Sequence, residues 1–325
     1  MTEISRTDDL PIQDLVKALL VRVSSYDWLR KGLLYSLLLA LVVRLTQKKR
    51  SVKGKLVLVT GAATGIGRQQ AFSFARAGAR LALWDINVEQ LEKTAEEVRQ
   101  ATGAEVQAYR CNLADREDIY EVAEQVKADQ GHVWCLINNA GIISGQNLLD
   151  TPDRRIELSM QVNAMAYFWT TKAFLKNMID NNDGHIVGIS SAAGIFPNPR
   201  MVDYCTSKFA ARGFIEALHT ELLATGKTGV KTTCILPAHI NTDLFKGFNM
   251  MGAMEPEWVA NQVLKAVQES KYIVMLPWAL QLGVFWQTVM PSSVWDFFMS
   301  FSHSAMKTWS PDQANKIFVK MDEKV

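Results

Sequence analysis

A short apolar run, Lys55-Leu56-Val57-Leu58-Val59, leads directly into Thr60-Gly61-Ala62-Ala63-Thr64-Gly65-Ile66-Gly67. A segment from Arg68 to Ala77 follows, with Ala71, Phe72, Phe74 and Ala75 at helical spacing. This stretch constrains the fold more than any other. A β-rich run without polar alternation reads as a strand buried on both faces, as in a parallel sheet. Parallel strands need crossover connections, so the strand–turn–helix unit commits the chain to a β-α-β architecture. Gly61 permits the tight turn, Gly65 lets the backbone approach a pyrophosphate, and Gly67 permits close helix–strand packing. The helix N-terminus offers N–H groups and a positive dipole end to phosphate. The spacing is G-x-x-x-G-x-G rather than G-x-G-x-x-G, and the plainer alternative is a glycine-rich loop with no ligand.

The rest of the chain keeps the same rhythm. Strands are expected near 56–60, 80–84, 105–109, 133–137, 185–190, 231–236 and 272–276, with helices at 87–101, 115–129, 153–180, 204–225 and 255–269. Alternation of this kind predicts an α/β fold, a single Rossmann-type doubly wound parallel sheet, with hydrophobic N- and C-terminal extensions beyond it. Ligands of such sheets bind beyond the carboxyl ends of the strands. Asp85, Asn139, Ser191 and Pro237 all fall at strand ends and are expected to converge on one edge. Asp85 closes the second strand, about twenty residues beyond the glycines, where a carboxylate accepts hydrogen bonds from an adenosine ribose and repels a 2′-phosphate. Ile86 follows it rather than a basic residue, and Thr64 stands where NADP users often carry arginine, so the cofactor reading is NAD rather than NADP. The competing reading has Asp85 cap the helix that starts near Val88.

Tyr204 and Lys208 stand four residues apart in Tyr204-Cys-Thr-Ser-Lys208, on one face of a helix. A cation there favours phenolate and draws the phenol down from ~10 toward neutrality, which makes it a usable acid or base. Ser191, at the end of the strand before, can bond a substrate oxygen. By itself a Tyr-x-x-x-Lys spacing arises by chance on many helices; behind a nucleotide turn and a strand-end serine it carries weight.

Composition excludes other classes. About half of the 325 residues (48%) are apolar, enough for a substantial core, and the net charge of +2 with no arginine-rich stripe argues against a nucleic-acid partner. Cys111, Cys135, Cys205 and Cys234 show no C-x-x-C or metal spacing, and the five histidines form no H-x-x-x-H set, so no metal is expected. Cys135 and Cys234 lie in apolar strand-like runs and read as reduced core residues. His239 is expected as a solvated loop residue, the alternative being a place beside the substrate.

With these residues in view the chain resembles the short-chain dehydrogenase/reductase family. The family turn corresponds to Thr60–Gly67, its Asn-Asn-Ala-Gly to Asn138-Asn139-Ala140-Gly141, and its helix asparagine to Asn163. Its catalytic serine corresponds to Ser191, its Tyr-x-x-x-Lys to Tyr204 and Lys208, and its Pro-x-x-x-x-Thr segment to Pro237–Thr242. These motifs stand in family order over roughly residues 53–276. Two positions depart: Asn112 stands where aspartate is common near the adenine, and Ala238 where glycine often follows the proline. The resemblance implies a catalytic set of Asn163, Ser191, Tyr204 and Lys208, with Ser191 and Tyr204 on the substrate. It implies that Lys208 binds the nicotinamide ribose and that Asn163 bends its helix and holds a water linking Lys208 to solvent. Together with the residue readings above, it puts cofactor contacts at Gly61, Thr64, Gly65, Ile66, Gly67, Asp85, Ile86, Asn112, Leu113, Asn139, Ala140, Gly141, Tyr204, Lys208, Pro237, Ile240 and Thr242.

Both ends exceed the fold. Residues 1–50 hold an uncharged apolar run, Gly32–Val43, with Arg30 and Lys31 before it and Arg44 and Lys48-Lys49-Arg50 after it. Twelve residues at ~1.5 Å each fall short of a ~30 Å bilayer core. With snorkelling flanks the segment reads as spanning, as a hairpin or as lying in the interface, against an ordinary buried or dimer-contact helix. The earlier Leu10–Val23 stretch looks amphipathic. Residues 277–325 are rich in apolar and aromatic side chains, a composition suited to a membrane interface, a lid, a substrate entrance or an oligomer contact; Pro277 and Pro291 argue against one continuous spanning helix. The catalytic domain is expected at 51–276. Together these features resemble the membrane- and lipid-droplet-associated branch that contains 17-beta-hydroxysteroid and epidermal-type retinol dehydrogenases. That implies interconversion of a lipophilic alcohol (steroid, retinoid or long-chain) and its ketone or aldehyde, a homodimer, and a membrane-attached enzyme facing the cytosol, on endoplasmic reticulum or lipid droplets in a eukaryote. A soluble-type ketoacyl or diacetyl reductase and a non-catalytic lipid-surface protein remain the alternatives.

Overall fold

The computed structural model of the chain describes residues 31, 32, 34–36, 38, 49–245, 252–297 and 300. Two compact units divide it, Met1–Lys48 and Lys49–Val325. In the first, the described residues are helical and exposed; Leu10–Val23 and much of Gly32–Val43 lie outside the described residues.

In the second unit seven strands form one parallel sheet: β1 Leu56–Thr60, β2 Arg80–Asp85, β3 Val106–Arg110, β4 Val133–Asn138, β5 Gly184–Ile189, β6 Val230–Pro237 and β7 Ile273–Leu276. Their order is β3-β2-β1-β4-β5-β6-β7. The helices are α1 Gly65–Arg76, α2 Val88–Thr102, α3 Arg116–Gln130, α4 Asp153–Met160, α5 Ala166–Asp180, α6 Val202–Ala224, α7 Pro256–Gln268 and α8 Leu280–Val289. Every residue of β1, β4 and β5 is buried, because helices cover both faces of the sheet. Alternate side chains of β1 divide between two cores. Val57 and Val59 join Phe74, Leu91 and Val263 from α1, α2 and α7. Leu56 and Leu58 join Ile119, Phe174 and Ile215 from α3, α5 and α6. Strand order reverses between β1 and β4, which opens a crevice at their carboxyl ends where no crossover helix lies.

The expected elements are present to within a few residues at each boundary, with one difference of kind. The helix expected over 153–180 is interrupted by a π-helical turn, Gln161–Met165. Asn163 sits in that turn, fully buried. Its Oδ1 accepts from Ile142 N at 2.8 Å, and its Nδ2 donates to Ile142 O at 2.8 Å and Ser207 Oγ at 2.9 Å. Such wide turns distort a helix locally and cluster at functional sites; apolar periodicity on either side does not reveal one.

At the amino ends of β4 and β5, Asp183 pairs with Arg50 and with Lys55 Nζ at 2.8 Å, and accepts from Trp134 Nε1 at 2.8 Å. His185 lies fully buried beside them, within 3.3 Å of Arg50 Nη1 and 2.8 Å of Thr233 Oγ1. At the other end of the chain, α8 stops before Pro291, whose ring removes a helical N–H, and residues 292–297 are helical again. Among the described residues no helix is long and apolar enough to cross a membrane.

Candidate active site

The floor of the crevice is the glycine turn. Gly61 and Gly65 adopt φ of +65° and +56°, which side chains resist. A Cβ on Gly67 would stand 2.1 Å from the carbonyl oxygen of Gly61. The turn is fastened to β4: Asn139 Nδ2 donates to Thr60 O at 2.9 Å and Gly61 O at 3.3 Å, while Thr60 Oγ1 accepts from Asn139 N and Ala140 N at 3.0 and 3.2 Å. Asn139 was expected among cofactor contacts; its amide is spent on shaping the turn, although the residue lines the cavity. Thr64 holds the N-cap position of α1 and its side chain makes no capping bond, so the first-turn N–H groups remain at the cavity wall, the arrangement that binds phosphate.

Asp85 ends β2. Its Oδ2 accepts from Ala63 N at 3.0 Å and its Oδ1 from Asn87 N at 2.9 Å. It therefore does not cap α2, whose N-cap residue is Asn87; it joins the end of β2 to the glycine turn.

On the far side of the crevice lie the residues at the ends of β5 and in α6. Ser191 N-caps the short turn 192–194, where its Oγ accepts from Ala193 N at 3.1 Å. The same hydroxyl is a neighbour of the Tyr204 phenol and acts to lower its pKa. Helix α6 lies close against this turn: a Cβ on Gly194 would meet Lys208 O at 2.8 Å, and Ser190 Oγ donates to that same oxygen at 2.8 Å. Lys208 Nζ donates to Ile189 O at 3.0 Å and stands 5.6 Å from the centroid of the Tyr204 ring. A Cβ on Gly141 would come 3.2 Å from Lys208 Nζ and 3.5 Å from Asn163 Oδ1, so these three residues meet at one point.

The electrostatics differ from the expectation that Lys208 draws the phenol down. Burial pushes the Tyr204 hydroxyl well above its ordinary value, and the neighbouring Ser191 hydroxyl only partly opposes this. The same burial lowers the Lys208 ammonium to about 8. The reason is desolvation of both groups: the lysine that was to stabilise a phenolate is itself close to losing its charge, and its nitrogen is bonded to a backbone carbonyl.

One cavity of about 440 Å³ joins the two sides. Of the expected contacts, Gly61, Thr64, Gly65, Ile66, Asp85, Ile86, Asn112, Leu113, Asn139, Ala140, Gly141, Ser191, Tyr204, Lys208, Pro237, Ile240 and Thr242 line it. Gly67 and Asn163 do not; they stand one layer behind and shape it. Sequence reading missed Ile142, Val162, Leu244 and Phe245. Phe245 places its ring edge-on to Tyr204, centroids 6.2 Å apart. No motif marks these apolar residues; the only available signal was their nearness to Asn163 and Thr242. His239 is half-buried rather than solvated, stands edge-on to Phe245 at 5.6 Å, and is absent from the cavity wall. Among the described residues no group of histidine, cysteine and carboxylate side chains could hold a metal.

A family model described as short chain dehydrogenase matches residues 55–252. Epidermal retinol dehydrogenase 2 of Mus musculus is 43% identical over 270 residues, covering 81% of this chain and 87% of that protein. Estradiol 17-beta-dehydrogenase 11 of Mus musculus is 42% identical over 247 residues, covering 75% of this chain and 83% of that protein. Among solved structures, a metagenomic short-chain oxidoreductase in complex with NADP is similar at a TM-score of 0.60 and 29% identity, over 70% of this chain and 96% of that one.

Proposed function

The chain belongs to the short chain dehydrogenase family, and on that premise we propose that it oxidises or reduces a lipophilic alcohol/carbonyl pair with NAD, using Tyr204 as general acid/base. It is an oxidoreductase, and its reaction class is alcohol–carbonyl interconversion with a nicotinamide cofactor.

The observation that carries the finer reading is the single cavity with the glycine turn and Asp85 at one end and Ser191, Tyr204 and Lys208 at the other. The cradle fits a dinucleotide: Gly61 and Gly67 leave room only for backbone, the N-terminus of α1 faces phosphate, and Asp85 offers ribose two acceptor oxygens. That carboxylate also supports NAD over NADP, since it would stand against a 2′-phosphate. When bound, the nicotinamide supplies the hydride acceptor or donor.

The chain's own groups handle the proton. In oxidation Tyr204, as the phenolate, takes the alcohol proton at its oxygen and becomes the phenol; in reduction the phenol gives its proton to the carbonyl oxygen and becomes the phenolate. Ser191 donates to the substrate oxygen and stabilises the charge that develops there. Lys208 would hold the nicotinamide ribose and, when protonated, would supply a cation beside it. Asn163 holds the segment beside Lys208 through Ile142.

Ile142, Val162, Leu244 and Phe245 give the cavity an apolar wall, which supports a lipophilic substrate of the steroid, retinoid or long-chain class. Attachment to a membrane or lipid-droplet surface, with the catalytic unit on the cytosolic side, rests on the apolar run Gly32–Val43 and on the exposed Trp278, Leu282, Phe285 and Trp286. A homodimer rests on exposed Met165, Phe168 and Phe209 on the α5–α6 side.

The test is turnover of purified protein with retinol, estradiol and long-chain alcohols, each with NAD and NADP, beside Tyr204→Phe. NAD-dependent turnover of at least one alcohol is expected, lost by ~10²–10⁴-fold in Tyr204→Phe with NAD binding retained. Wild-type kcat in that variant would defeat the mechanism.

A further inference from the structure

Immediately before Tyr204 stands a carboxylate that the chemistry above does not use. Asp203 is only 4% exposed, in the first turn of α6. Its Oδ1 accepts from Ser144 Oγ and its Oδ2 from Ser159 Oγ, each at 2.6 Å. Both serines are fully buried. The lengths are those of O–H···O⁻ bonds, which are roughly twice as strong as neutral ones. The negative charge also lies at the end of α6 where the helix dipole favours it.

The position of these partners gives the carboxylate its meaning. Ser144 ends the segment 139–144 that leaves β4; Asn139, Ala140, Gly141 and Ile142 in that segment line the cofactor cavity. Ser159 belongs to the last turn of α4, two residues before the π-helical break. A second tie runs alongside: Asn163 bonds both Ile142 backbone groups and Ser207 Oγ, and Ser207 Oγ donates to Tyr204 O at 2.7 Å. The first turns of α6 are thus held to the cavity wall at residues 142 and 144.

We propose that Asp203 is a positioning residue for the reaction: its buried carboxylate clamps the start of α6 to the 139–144 wall and so sets where the Tyr204 hydroxyl stands relative to Ser191 and the cofactor cavity. The inference rests on the reading of Tyr204 as acid/base. A carboxylate suits the task because it only accepts, so both serine protons must point at it and the three segments have one arrangement. An amide would present one donor, which a serine meets only by turning its own proton away.

The test compares Asp203→Ala, Asp203→Asn and Ser144→Ala with wild type in kcat, KM, NAD affinity and thermal midpoint, using the alcohol turned over in the screen. Asp203→Ala is expected to lower kcat by on the order of 10²-fold, as misplacement of a reacting group by about 1 Å does, while NAD affinity stays within about twofold. Asp203→Asn should recover much of that loss. Adding Ser144→Ala to Asp203→Ala should cost nothing further, because both remove the same bond. A merely structural role predicts something else: NAD affinity and folded fraction falling in step with kcat. That result, wild-type kcat in Asp203→Ala, or additive Ser144 and Asp203 losses, overturns the proposal. Should Asp203→Ala not fold, Asp203→Asn and Ser144→Ala decide the matter by the same split between kcat and NAD affinity. An active Tyr204→Phe would instead defeat the acid/base reading itself, whereas a dead Tyr204→Phe beside a fully active Asp203→Ala would defeat this inference alone.

Discussion

Gly67→Ala adds one methyl group where the turn has least room. The new Cβ would stand 2.1 Å from Gly61 O and 2.7 Å from Asn139 Nδ2. Carbon–oxygen contacts normally lie near ~3.3 Å, so about 1 Å of retreat is required. Gly61 cannot supply it, because its own Cα faces Ala140, where a Cβ would already be 2.8 Å from the neighbouring Cα. Nor can Asn139 give way freely, since its amide bonds Thr60 O and Gly61 O. Overpacking costs ~1–3 kcal/mol, and a disrupted Asn139 bond adds ~1 kcal/mol, for a loss of roughly 2–4 kcal/mol. In a unit of this size that lowers Tm by roughly 5–15 °C. NAD affinity should fall by ~10–100-fold, because the displaced carbonyl and N–H groups are those that shape the phosphate cradle. Differential scanning fluorimetry and calorimetric titration with NAD measure the two effects. Gly65→Ala is the control of different origin: its Cβ meets only Thr242 Cγ2 at 3.6 Å, an ordinary contact, but φ is +56°, a strain of ~1–2 kcal/mol. A Gly67→Ala protein with Tm within about 1 °C and unchanged NAD affinity would refute the packing argument.

Asp85→Ala should weaken NAD and lower the NAD/NADP ratio of kcat/KM by ~10–100-fold, because it removes ribose acceptors and the charge that opposes a 2′-phosphate; a wild type that already prefers NADP contradicts the reading. His185, pushed down to about 3 chiefly by burial and then by the Arg50 and Lys231 charges, should make the fold acid-sensitive. Between pH 6.5 and 3 the unfolded chain binds a proton that the folded one refuses, so stability is lost as pH falls, by roughly 3 kcal/mol near pH 4. His185→Gln removes that titration, and urea midpoints between about pH 4 and 6.5 should become flatter than wild type; an unchanged slope argues against it. Deleting residues 1–48 should move the protein toward the soluble fraction and preserve NAD binding, with residual attachment through residues 278–297. Full membrane retention when both segments are gone, measured by flotation, would remove the attachment model.

What the sequence determined by itself is local. Leu56–Val59 had to be a doubly covered strand because nothing in it is polar, and Gly61, Gly65 and Gly67 had to be a turn because their spacing suits no regular element. Alternating strands and helices then left a parallel sheet as the consistent architecture, with Asp85, Asn139, Ser191 and Pro237 at strand ends. Tyr204 and Lys208 were legible because i and i+4 on a helix must share a face. Tertiary structure decided whatever depends on residues far apart in the chain. The π-helical turn holds Asn163, whose side chain reaches back to Ile142, and nothing in the helical periodicity of 153–180 encodes that bond. No sequence pattern marks Asp203 as buried; the fold brings Ser144 and Ser159 around it. Phe245 reached Tyr204 only through the folding of the segment after β6. The sign of the Tyr204 perturbation belongs to the same class: charge spacing is written in the sequence, but desolvation is set by how many other segments close over the group, and here burial is the largest cause for both Tyr204 and Lys208.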